Sequence, residues 1–117
     1  FGPITTISRI PAARARWLQA YPQRILNIHP ALLPEFGGKG MYGHHVHEAV
    51  LAAGRPYSGI TIHLVDERYD HGQTLLQAQC PVLPGDSPET LAARIHQLEH
   101  RYYPAAVAQY LRLLDEQ

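Results

Sequence analysis

Apolar and polar positions along this chain repeat with two different periods, and the places where the period changes mark out its elements. From Pro11 to Tyr21, Trp17, Leu18 and Tyr21 recur at helical spacing after a proline suited to a first turn, which predicts a short helix. Pro22 ends it, and Arg24 to Ile28 reads as a short, largely buried strand running into Asn27 and His29. Pro30 to Gly43, with its prolines and the run Gly37-Gly38-Lys39-Gly40, is expected to be a loop of fixed path with a flexible tip. His44 to Ala53 resumes helical character and stops at Gly54. Two strands follow, Gly59 to Val65 and Thr74 to Val82. In the first, Ile60, Ile62 and Leu64 alternate with Thr61 and His63, so one face is buried and the other points at something polar. A last, long helix starts with Ser87 as N-cap and Pro88 as its first residue. Leu91, Ile95, Leu98 and Tyr102 form its core stripe, Pro104 kinks or restarts it, and Val107, Leu111 and Leu114 carry the apolar face onward. Three strands flanked by helices predict an α/β fold.

Composition narrows the function classes. At 117 residues the chain is one domain's worth, 1–117. Ten Lys and Arg balance ten Asp and Glu, so no broad field draws in polyanions, and nucleic acid and membrane surfaces are not expected partners. The single cysteine, Cys80, cannot build an internal disulfide framework, which points to a reducing, cytoplasmic setting. Cys80 lies within an apolar strand pattern, where packing is its expected job. No window has the length and apolarity of a membrane span, and Phe1 to Ile10 lacks the pattern of a secretory signal. A first residue other than Met reads as a processed chain or a piece of a longer one.

The chemistry centres on Asn27 and His29. Two residues apart at the end of a strand, an amide and an imidazole aim the same way. An amide that donates to a developing oxyanion and a ring that moves a proton are what acyl-type transfer needs side by side. The alternative is a polar strand end bonded to nearby backbone. Asp70 opens a glycine-containing turn, where an Asx turn is its ordinary role; near His29 its carboxylate would instead favour the imidazolium. His63, on the polar face of its strand, could hold that carboxylate, or be a satisfied half-buried histidine. His44-His45-Val46-His47 has ligand-type side chains but no matched downstream partners, so no metal is expected. Glu99-His100 sits on the last helix, where such pairs commonly serve solubility. Neither GxGxxG nor GxxxxGK[ST] occurs.

Taken in order, Asn27-Ile28-His29-Pro30-Ala31-Leu32-Leu33-Pro34, Gly59-Ile60-Thr61-Ile62-His63, Tyr69-Asp70-His71-Gly72 and Gln97-Leu98-Glu99-His100-Arg101-Tyr102-Tyr103-Pro104 resemble the C-terminal half of the phosphoribosylglycinamide formyltransferases, folate-dependent enzymes of purine synthesis. The likeness runs from about Arg9 to Leu111. It implies the C-terminal part of a Rossmann-like fold, a short mixed sheet with flanking helices. It also implies transfer of a formyl group from 10-formyltetrahydrofolate to the amine of glycinamide ribonucleotide. Asn27, His29 and Asp70 match the family's catalytic trio. Asn27 with Asp66, Glu67, Arg68, Tyr69 and Asp70 matches the folate-binding set, and His96, Gln97, Leu98 and Glu99 match the segment that meets the ribonucleotide. His45 and His47 match a pair lining the same cleft, and the Leu33-Pro34 bond is expected to be cis.

The family's N-terminal half, which holds the substrate phosphate and completes the sheet, has no counterpart here. The chain is therefore expected to be the catalytic and folate-binding part of a longer enzyme, or to pair with a second copy, with Phe1 to Ser8 divergent or foreign. Two other readings stand beside the enzyme: a non-catalytic module binding a metal or a protein, and another folate-dependent formyltransferase or deformylase.

Overall fold

The computed structural model describes residues 5–7, 25–38, 40–65 and 73–115, with backbone alone for 5–7, 113 and 114. The helix expected over Pro11 to Tyr21, the side chain of Leu114 and the whole run Asp66, Glu67, Arg68, Tyr69, Asp70 lie outside the described residues. Within them the order is β1 (Thr5–Ile7), β2 (Ile25–His29), α1 (His44–Ala52), β3 (Tyr57–Leu64), β4 (Thr74–Pro81) and α2 (Pro88–Asp115).

The strands lie in one mixed sheet in the order β1-β2-β3-β4, with β1 parallel to β2 and the other pairs antiparallel. The α/β expectation holds, with one correction. Thr5–Ile7, in a stretch expected to be divergent or foreign, forms a fourth strand beside β2. Three residues are too few to show an alternation, so this strand left no periodic signal.

One sheet face carries Ile28, Ile60, Ile62 and Cys80, which pack against Leu91, Ile95 and Ala106 of α2 and Val50 of α1. Leu26 meets Tyr110 farther along α2. Cys80 is buried, as its place in the strand pattern predicted. Helix α2 passes through Pro104 as a single element. A mid-helix proline costs about 3 kcal/mol. Fully burying a large apolar side chain recovers about 2 kcal/mol. With Leu91 and Ile95 buried before the proline and Ala106 and Tyr110 after it, burial on both sides outweighs the break.

Both helix boundaries follow local chemistry. At α2, the Thr90 amide donates to Ser87 Oγ at 3.2 Å and the Ser87 amide donates to Thr90 Oγ1 at 2.9 Å, a reciprocal cap with threonine in the place Glu usually takes. At the end of α1, Gly54 adopts φ 67°, its amide donates to Leu51 O, and the Arg55 amide reaches Val50 O, closing a Schellman turn. The β4–α2 corner is tied by Asp86, whose carboxylate accepts from both Arg94 nitrogens, the Leu83 amide and the Thr90 hydroxyl. The Arg94 guanidinium and these donors hold the Asp86 carboxyl far below the usual carboxylate range.

Two outcomes follow. A methyl group at Gly59 would land on the Ala78 carbonyl oxygen and sit 2.7 Å from Leu32 Cδ2. Because a strand backbone cannot yield, Gly59→Ala should lower unfolding stability by about 3 kcal/mol in chemical denaturation. Asp86 has a depressed native pKa, so its contribution is present above the unfolded carboxylate value of about 4 and is lost as pH falls below it. The gap in melting temperature between the parent and Asp86→Asn should therefore be widest near neutral pH and close as pH falls below that value.

Candidate functional site

Strand β2 places Asn27 and His29 on the face opposite Leu26 and Ile28. Antiparallel pairing sets Asn27 across from His63 and His29 across from Thr61. Directly opposed residues share a face, so four polar side chains form a block on this side of the sheet. The block is dry. Asn27 and His29 are 3 % exposed, Thr61 0 % and His63 1 %. The polar face expected for β3 is thus polar but fully buried, and its groups must satisfy one another.

They do so in a directed way. His63 Nδ1 lies 2.9 Å from the Leu64 carbonyl oxygen, so that nitrogen carries the hydrogen. Asn27 Nδ2 lies 3.1 Å from His63 Nε2 and, being a donor, requires that nitrogen to be bare. The two contacts select one neutral tautomer of His63, and that ring in turn fixes which way the Asn27 amide points. His63 therefore orients Asn27; the expected contact with Asp70 lies outside the described residues.

His29 is held from the loop. Its Nε2 donates to the Phe36 carbonyl oxygen at 2.6 Å, which leaves Nδ1 as the basic nitrogen of the neutral ring. Phe36 has φ 56°, an uncommon conformation for a bulky residue, and the loop that leads to it is tied down at Ala31 and Leu33. The Thr61 hydroxyl donates to Ala31 O at 2.8 Å and accepts from the Leu33 amide at 3.0 Å. Gln77 Nε2 on β4 donates to Leu33 O and to Thr61 Oγ1. The Leu33-Pro34 bond is cis, as the resemblance implied. Thr61, Gln77 and the Phe36 carbonyl were missed as site parts. Thr61 and Gln77 could have been suspected from polar positions in two strands, but a backbone carbonyl leaves no mark in a sequence.

Around the end of β2 the histidines divide. His47 is 4 % exposed, and burial, followed by the nearby His44, His96 and His29, pushes its pKa down. A lowered histidine pKa stabilises the fold at and above the ordinary value of about 6.5 and withdraws that support as pH falls below it. His45 instead lies exposed, edge-on to Tyr42 with ring centroids 5.6 Å apart. On α2, His96 Nδ1 lies 3.4 Å from Glu99 Oε2, bringing two of the expected ribonucleotide residues together. Gln97 is exposed on the helix surface. Leu98 packs against the hydrophobic core, as its position in the stripe Leu91, Ile95, Leu98 predicted. Among the described residues, no three His, Cys, Asp or Glu are grouped to hold a metal, and no helix is long and apolar enough to cross a membrane.

Residues 13–107 match the family model described as formyl transferase. The chain is 57 % identical over 90 residues to a chloroplastic phosphoribosylglycinamide formyltransferase of Arabidopsis thaliana, covering 77 % of this chain and 31 % of that protein. It is 43 % identical over 96 residues to the phosphoribosylglycinamide formyltransferase of Bacillus subtilis, covering 82 % of this chain and 47 % of that one. The crystal structure of the Bacillus halodurans enzyme of that name superposes with a TM-score of 0.77 at 36 % identity, covering 92 % of this chain and 54 % of its own. The chain thus spans about a third of the plant relative and about half of the bacterial ones. With 95 consecutive positions matched and the strand end, the cis-proline loop and the long helix all present, this chain belongs to the formyl transferase family.

Proposed function

We propose that this chain supplies the reaction centre of a phosphoribosylglycinamide formyltransferase, moving a formyl group from 10-formyltetrahydrofolate to the amine of glycinamide ribonucleotide. The observation that carries this reading is the buried, pre-oriented pair Asn27 and His29 at the end of β2. The folate donor brings an electrophilic formyl carbon: attack by the amine forms a carbon–nitrogen bond and moves the carbonyl electrons onto oxygen. Their return breaks the bond from that carbon to the folate nitrogen, which leaves carrying the proton given up by the amine. One Nδ2 hydrogen of Asn27 is given to His63, and the other is the donor for that oxygen. His29, with Nε2 pinned, takes up and returns a proton at Nδ1, and as imidazolium it presents a second donor. Asp70 is the carboxylate assigned to favour that charged form, and Asp66, Glu67, Arg68 and Tyr69 form with it the loop assigned to the pterin.

His96 and Glu99 on α2, joined by their contact, suit the ribose hydroxyls, and His47 beside them is a neutral group lining the same end of β2. The compartment proposed is a reducing one, consistent with a single buried thiol. The cytoplasm expected from the sequence stands beside the chloroplast named for the plant relative. A homodimer, or assembly with a phosphate-binding half, remains part of this proposal.

Measured as formyl transfer in the natural-length protein, Asn27→Ala should lower kcat by about a hundredfold to a thousandfold, the usual cost of one oxyanion donor. A change below tenfold would remove Asn27 from the reaction. His63→Phe, which keeps the ring and deletes the acceptor, should lower kcat about tenfold with KM little altered, because it disturbs the aim of Asn27 rather than substrate contact. No formyl transfer by the parent protein with either substrate present in excess would contradict the reading as a whole.

A further inference from the structure

Three polar side chains cross the sheet in one row. His29 on β2 is paired with Thr61 on β3, and Thr61 is paired in turn with Gln77 on β4. Directly paired residues share a face, so the row starts at a buried imidazole, passes through a buried hydroxyl and ends at an exposed amide. Of the three, the reaction proposed above uses only His29. The role of the other two follows from where their hydrogens go.

A hydroxyl has one hydrogen to give and two lone pairs to offer, and Thr61 uses all three. It donates to Ala31 O at 2.8 Å and accepts from the Leu33 amide and from Gln77 Nε2, each at 3.0 Å. Gln77 uses both hydrogens of its amide, the second reaching Leu33 O at 2.9 Å. With both lone pairs of Thr61 taken, its hydrogen is directed at Ala31 O. The loop after β2 is thus held at the Ala31 carbonyl and at both backbone polar groups of Leu33.

Three residues past Leu33, the Phe36 carbonyl accepts from His29 Nε2 at 2.6 Å. At φ 56° a bulky residue has few neighbouring conformations to relax into, so the place of that carbonyl depends on how the loop leaves Leu33. Which ring nitrogen of a neutral histidine carries the hydrogen is set by the hydrogen bonds the ring makes. A displaced Phe36 carbonyl therefore releases the hydrogen from Nε2 and lets it occupy Nδ1. We infer that Gln77 is a positioning residue for His29: by holding Leu33 and the Thr61 hydroxyl, it keeps the Phe36 carbonyl on Nε2 and leaves Nδ1 bare. Its effect on turnover rests on the reaction proposed above, whereas its effect on the ring does not.

The experiment is nitrogen-15 NMR of the His29 side chain near neutral pH, with formyl-transfer kinetics beside it, in the natural-length protein. The parent should carry hydrogen on Nε2 alone. Gln77→Met, which keeps the reach of the side chain and deletes both donors, should move both ring nitrogens toward the averaged values of a tautomer mixture. The same variant should lower kcat about fivefold with KM little altered, the share of one ordinary hydrogen bond. Gln77→Lys, which returns donors at nearly the same reach, should restore most of both. Gln79→Met, the same change two residues along the same face of β4, should move neither. An unchanged His29 ring in Gln77→Met, or a response of equal size in Gln79→Met, would overturn the positioning role. So would a changed ring at unaltered kcat in a protein that transfers formyl. A ring that responds as expected in a protein that transfers none would uphold Gln77 as the positioner of His29 and remove only the reaction.

Discussion

The pairing of β2 with β3 is the constraint on which the rest of this structure depends. A two-residue repeat puts Leu26, Ile28, Ile60 and Ile62 on the core face and, by the same geometry, Asn27, His29, Thr61 and His63 on the other. A slip of one residue would send the polar set into the core. The hydrophobic face thereby protects the chemical one: burial of the isoleucines against α2 fixes the register, and the register holds an amide opposite the ring that orients it. Stability and site geometry are set by the same strand pair.

Loop 30–36 bonds two members of this block, His29 and Thr61, and the block in turn holds the loop. Thr61 bonds the loop backbone on both sides of Leu32, and Gln77 reaches in from the next strand. The loop then returns a carbonyl to His29. Each buried polar group thus finds a role in positioning another, which is how several such groups persist where an unmatched one would be costly. Ser58 Oγ and His47 Nδ1 are the exceptions among the described residues whose partners are otherwise accounted for, and both lie near the loop or the end of β2.

Much of this was legible in the sequence because the signals were periodic or local. Alternation announced β3, helical spacing announced the stripe of Leu91 and Ile95, and Ser87-Pro88 announced the start of α2. The spacing of Asn27 and His29 announced two side chains on one face of β2, and the order of several short motifs supplied the family. The missing parts were those a one-dimensional pattern cannot carry. The pairing of Thr5–Ile7 with β2 depends on a partner twenty residues away. The Phe36 carbonyl belongs to no side chain.

The central claim is that His63 exists as the neutral ring with hydrogen on Nδ1 and accepts from Asn27 at Nε2. Nitrogen-15 NMR of the His63 side chain near neutral pH measures this directly, since protonated and bare ring nitrogens resonate far apart. The account predicts a protonated Nδ1 and a bare Nε2. Hydrogen on Nε2, alone or on both nitrogens, would contradict it, because Asn27 would then have to turn its amide about and the donor proposed for the reacting oxygen would be misplaced.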